Sequence, residues 1–130
     1  MPTIAYFRMK CVYKNRLGSN GELIAKQFLS DKKLIFIKNN YRYDRAEIDL
    51  IFEDEGNKIL LFVEVKTRRN KKFGEPEESV TLTKQNQIKK AAMGFISENE
   101  KYADHVYRID VISIFLNEGR AEINHIENAF

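Results

Sequence analysis

Asp49, Glu64 and Lys66 are the residues whose types and spacing can do chemistry. They lie in AEIDLIFEDEGNKILLFVEVKTRR, residues 46–69, where two apolar runs flank DEGNK. A charge inside such a run costs stability unless it is paired or used. Gly56-Asn57 is a two-residue hairpin signal. With that pair as the loop, Glu55 opposes Lys58, and the pairing carried inward sets Asp49 opposite Glu64 and Glu47 opposite Lys66. Opposed residues share a face, with Cβ atoms about 5 Å apart, and like charges there destabilise a sheet. A hard divalent cation between the two carboxylates, Mg²⁺ or Mn²⁺, reverses the sign of that interaction. Lys66 follows Glu64 by two residues and so projects from the same face. Two acids on a metal with an ammonium beside them suit the extra negative charge of a phosphodiester transition state. The alternative is ordinary sheet residues, with Asp49 and Glu64 paired to Arg42, Arg45 or Lys66. A slip of one residue would separate the two acids onto opposite faces.

The surrounding elements must hold this hairpin. SNGE, with Ser19 three residues before Glu22, is a capping-box pattern that opens a first helix. Leu23, Ile24, Phe28 and Leu29 supply its apolar side. KLIFIKN predicts a strand, and AEIDLIF a second with Ile48, Leu50 and Phe52 on one face and Glu47, Asp49 and Ile51 on the other. KILLFVEVK is apolar on both faces and therefore central. A loop with Gly74 and Pro76 leads to a helix over about residues 83–97, with Ile88, Ala91, Ala92, Phe95 and Ile96 on one face. YRIDVISIF is a fourth strand, and AEINHI reads as a last, edge strand. The order is αβββαβ with one further strand, and helices outside a mixed sheet bury it.

The 130 residues suit one domain with one core, with residues 1–17 as a basic N-terminal arm. Net charge is only +3, but no acid precedes Glu22, whereas Arg8, Lys10, Lys14 and Arg16 do. A second basic cluster comprises Lys66, Arg68, Arg69, Lys71 and Lys72. Such clusters meet phosphates or form a solvated loop. Cys11 is the only cysteine, which excludes an intrachain disulfide and fits a reducing compartment. The longest apolar run, ILLFV, is far too short for a bilayer span, and the first ten residues lack the apolar stretch of a signal peptide. These features predict a cytoplasmic protein with no membrane partner. Asp110 is expected to pair with Arg108, and His105 and His125 have no partner in sequence, His125 reading as a surface or edge-strand residue. No Cys/His cluster suggests zinc, and no phosphate-binding glycine loop is present.

Asp49 followed by Glu64-Val65-Lys66 after an apolar strand resembles the D…ExK signature of the PD-(D/E)xK nucleases. Those share the restriction-endonuclease-like fold with an αβββαβ core. GSNGELIA, AEIDLI, FVEVKTR, FGEPEESV, YRIDVI and the terminal NAF, in that order, are similar to the YraN family of small bacterial proteins, which resemble Holliday-junction resolvases. The likeness covers residues 17–130. It implies an α/β domain in which Asp49 and Glu64, helped by the Val65 carbonyl, bind the metal and Lys66 positions or activates the water. It also implies that Glu22 binds a second metal or its water, a role that competes with a reciprocal cap on Ser19. A polar residue of the second helix, Lys84 or Gln87, is expected to reach the site. Lys66, Arg68, Arg69, Lys71, Lys72 and Lys84 are the expected nucleic-acid contacts. The implied activity is metal-dependent cleavage of DNA phosphodiester bonds, at branched or single-stranded structures. The rivals are a catalytically silent nucleic-acid-binding accessory protein of the same fold and a protein-interaction subunit. Resolvases act as dimers, though no dimer face is legible here. The chain departs from the family pattern in having Ala46, where glycine is usual, and from the older motif in having Ile48, where proline precedes the aspartate.

Overall fold

A computed structural model describes residues 3–8, 17–68, 80–117 and 119–130, with side chains from residue 21 onward within those ranges. The elements are β1 (Thr3–Arg8), α1 (Leu17–Asp31), β2 (Ile35–Tyr43), β3 (Ala46–Asp54), β4 (Ile59–Arg68), α2 (Leu82–Glu98), β5 (Val106–Asn117) and β6 (Arg120–Ile126), with a 3₁₀ turn at Glu100–Tyr102. The six strands form one mixed sheet in the order β1-β6-β5-β4-β3-β2. Only β4 and β5 run parallel, joined by the α2 crossover; the other neighbours are antiparallel. The segment α1-β2-β3-β4-α2-β5 is the αβββαβ core of the restriction-endonuclease-like fold, an α/β sheet flanked by helices.

Each helix buries one face of the sheet, because strands apolar on both sides must be covered twice. Ile24, Ala25 and Leu29 of α1 pack on Leu61, Val63 and Ile112. Ile88, Ala91 and Phe95 of α2 pack on Ile51, Leu60 and Phe62. Gly21 brings α1 close to β4, since a Cβ at that position would collide with the Thr67 side chain. No helix among the described residues is long and apolar enough to cross a membrane.

Three expectations change. Residues Thr3–Arg8, read as part of an arm, form strand β1 and pair with β6, so β6 is not the edge. Helix α1 starts at Leu17, so Ser19 lies inside its first turn and Glu22 on its second. The Glu22 N–H there faces a carbonyl four residues back, as in any helix interior, so the pattern does not mark the helix start. The regular alternation expected of β3 breaks at Asp49: Ile48 joins Ile51 on the α2 side, while Leu50 and Phe52 face α1. Asn40 of β2, which falls beside this point between the pairs Asn39↔Leu50 and Tyr41↔Ile48, has φ +51. A left-handed residue there disturbs the pleat of the β2–β3 pair.

Candidate active site

The β3–β4 hairpin has the expected register, from Asp54↔Ile59 to Leu50↔Val63. Its connection is a four-residue turn rather than a two-residue one. Asp54 accepts hydrogen bonds from the Asn57 backbone N–H (3.3 Å) and side-chain amide (2.9 Å), and Lys58 takes φ +52. The extra residues are added symmetrically, which leaves the pairing unchanged.

Beyond Leu50↔Val63 the backbone ladder is replaced by a side chain: Asp49 Oδ2 accepts the Val65 N–H at 2.7 Å. A strand residue directs its N–H and C=O to the same neighbour. The Val65 carbonyl therefore faces the same gap between β3 and β4. Glu64, only 5% exposed, lies beside it on the α2 side of the strand. Glu64 Oε1 takes two ammonium groups, Lys84 Nζ at 2.9 Å and Lys66 Nζ at 3.2 Å. Lys84 reaches it because Thr81 caps α2, accepting the Lys84 backbone N–H at 3.2 Å, and so fixes where the first turn begins. A cation in the first turn opposes the helix dipole, and Glu64 supplies the compensating charge.

The electrostatics are unbalanced. Burial pushes the Asp49 carboxyl up to about 7, the neighbouring Glu64 and Glu22 carboxylates add to this, and the Val65 N–H opposes it. Glu22 is also raised, by burial and then by Glu47 and Glu64. Burial works against the Lys84 ammonium, but its contact with Glu64 outweighs that and holds it above its ordinary value.

These groups line a cleft of about 240 Å³ walled by Arg45, Ala46, Glu47, Asp49, Glu64, Lys84, Gln87 and Ile88. Two carboxylates and a carbonyl form the oxygen donor set that Mg²⁺ or Mn²⁺ takes. Among the described residues no three His, Cys, Asp or Glu side chains are placed to hold one ion. Glu22 thus feels the charge of the pair from α1 without completing a three-carboxylate shell. Glu47, expected opposite Lys66, bonds Arg42 Nε at 3.0 Å instead, because the broken alternation turns it from Glu64 and the register sets it against Arg42. Arg68 ends β4; the expected contacts Arg69, Lys71 and Lys72 lie outside the described residues. Ala46 takes no positive φ, so the missing glycine leaves no strain. Arg45 is the cleft residue that sequence reasoning considered only as a partner for the acids. Its signal was its position, immediately before the strand that carries Asp49.

Residues 21–114 match the model of the family described as "Uncharacterised protein family UPF0102", the YraN family. The chain belongs to this family. A UPF0102 protein of Pelobacter propionicus is 44% identical over 114 residues, covering 87% of this chain and 81% of the relative. One of Caldicellulosiruptor saccharolyticus is 41% identical over 119 residues, covering 90% and 98%. One of Natranaerobius thermophilus is 43% identical over 117 residues, covering 87% and 95%. The UPF0102 match begins at Gly21, against Thr67, and ends at Ile114 in β5. It spans both carboxylates and both lysines of the cleft.

Proposed function

We propose that this protein is a Mg²⁺- or Mn²⁺-dependent endonuclease that hydrolyses DNA phosphodiester bonds, at branched or single-stranded structures. The observation that carries this reading is the pair of half-buried Asp49 and buried Glu64 at the open end of β3 and β4, with two lysines on Glu64. A carboxyl pushed up by burial and by a second acid beside it, as Asp49 is, is a mark of functional sites.

In this reading Asp49 and Glu64, with the Val65 carbonyl, hold the ion. Val65 N–H fixes the orientation of the Asp49 carboxylate. When bound, the ion supplies Lewis acidity and lowers the pKa of its water. Lys66, beside Glu64, would position the attacking water and stabilise charge developing on the phosphoryl oxygens. Lys84 pairs with Glu64 from the helix side and holds its carboxylate in place. Glu22, on α1, would help to hold a second ion or its water.

Cleavage of labelled single-stranded, duplex, flapped and four-way-junction DNA with Mg²⁺, Mn²⁺ or EDTA tests this. Wild type should cut only with metal, and Glu64→Ala and Lys66→Ala should each lose about a hundredfold or more in rate. Cutting that both variants share would refute it. Salt-sensitive DNA binding without any cutting would move the reading to a binding module.

A further inference from the structure

The polar side chains around the cleft divide into those already committed and those that are not. Asp49 is held by Val65, Glu64 by Lys66 and Lys84, and Glu47 by Arg42. Of the turn that leads into β3, Asp44 is engaged by Lys90 at 3.2 Å. Arg45, the next residue, is exposed and lines the same cleft. Among the described residues its guanidinium makes no hydrogen bond and no ion pair, although Glu47 and Asp49 line that cleft too. Among the described residues that wall the cleft, Arg45 is the cation with uncommitted donors.

The backbone explains why Arg45 stays apart. Asp44 has φ +53, which turns the chain sharply between β2 and β3. Arg42, on the other side of that turn, sits directly opposite Glu47 and takes it. Lys66 and Lys84 approach Glu64 from β4 and α2, so the acid is satisfied before Arg45 is needed. A guanidinium is planar, permanently charged, and presents paired N–H donors that match two oxygens of one phosphate. Its fork suits an anion carrying two adjacent oxygens, which a strand of nucleic acid offers at every residue.

We propose that Arg45 is the phosphate-gripping residue of this cleft: it takes two non-bridging oxygens of a backbone phosphodiester and so sets the strand against the acid pair. This rests on the nuclease reading for its substrate class, but its own content is binding. Lys66 and Lys84 cannot substitute for it while Glu64 holds both.

The test is fluorescence anisotropy with single-stranded and four-way-junction DNA on the otherwise wild-type chain, in EDTA, across stepwise salt, so that Glu64 keeps both lysines. Arg45→Ala should weaken binding roughly five- to tenfold and flatten the log–log salt slope by about one unit. Arg45→Lys should restore the slope while recovering only part of the affinity, since it returns charge without the fork. Because Arg45 is exposed, both variants should melt with the parent, which separates a binding effect from misfolding. Unchanged affinity and slope in Arg45→Ala would overturn the proposal even if metal-dependent cleavage is found. Arg45-dependent binding without cleavage by the wild type would retain it and refute the nuclease reading. No DNA binding at any salt would end both.

Discussion

Asp49, half-buried, and Asp110, fully buried, are aspartates of one sheet, and they are treated in opposite ways. Asp110, with 0% exposure, is fully provided for. Arg108 donates to it at 2.8 and 3.0 Å, His125 Nε2 lies at 2.8 Å, and the Asn128 N–H at 3.0 Å. Burial pushes its carboxyl up, but those partners outweigh burial and hold it below the usual range. Lys32 closes the chain on His125 Nδ1 at 3.0 Å, tying the end of α1 to β6. Asp49 has one N–H and two carboxylate neighbours, and burial wins. The same side chain is thus a fastener where its partners are complete and a reservoir of unfavourable charge where they are not. The second arrangement is worth keeping only if something else completes it.

The comparison can be broken most forcefully at Asp110. Asp110→Ala leaves Arg108 and His125 without their acid and should cost about 3–5 kcal/mol in urea unfolding, while cleft residues are untouched. Because the Asp110 pKa is depressed, its contribution is present above the unfolded value of about 4 and is lost as pH falls through the folded value. A loss below about 1 kcal/mol would make the network ornamental.

Completion of the other aspartate is tested by metal. Mg²⁺ or Mn²⁺ at a hundred times its Kd should stabilise the wild type by about 2.7 kcal/mol, read as a rise in Tm. The rise should be larger at pH 8 than at pH 6, since Asp49 must lose its proton to bind, and should vanish in Glu64→Ala.

Removing the frustration gives a smaller effect of opposite sign to that at Asp110. The folded pKa of Asp49, about 7, lies above its unfolded value, so stability falls as pH rises from about 4 to 7. Asp49→Asn keeps an acceptor for Val65 N–H and sheds the charge. It should gain about 1–3 kcal/mol at pH 8, with the gain fading toward pH 4. A loss at pH 8 would show that the carboxylate is already balanced.

The smallest effect belongs to His105, between Glu53 (2.7 Å) and Asp104 (2.8 Å) at the far end of the hairpin. The hydrogen bond to Glu53, chiefly, raises its pKa against burial. Its stabilisation is complete below the unfolded value of about 6.5 and is lost as pH rises through the folded one. In the Asp49→Asn background, His105→Gln should flatten the remaining slope of Tm above pH 6.5.

Local signals carried the hairpin and the element order, because turn residues and hydrophobic period act over a few positions. Asp54 to Leu50 pair with Ile59 to Val63 as the Gly56-Asn57 signal required, although the turn is longer. The pleat break at Asp49 was hidden, since it accompanies the positive φ of Asn40 on another strand. His125 looked peripheral because its burial depends on β1 covering β6 and on Asp110, fifteen positions away. Lys84 looked more like a solvated helix residue than a site residue, because the α2 crossover that brings it to Glu64 is not a local signal. The cap pattern misread the start of α1, because Ser19 and Glu22 both sit inside a helix that begins at Leu17.

The pairing of β4 has a mechanical consequence. On one side β4 matches β5 residue for residue from Ile59↔Val106 to Arg68↔Phe115. On the other its backbone partners in β3 stop at Leu50↔Val63. Glu64 and Lys66 therefore ride on the stiff rail of the cleft, and Asp49 on the compliant one. When a strand of nucleic acid or an ion is accommodated, the strain should be absorbed by movement of the β3 end and its turn, with Arg45 travelling along. The distance between the acids can then adjust while the spacing of Glu64 and Lys66 is preserved.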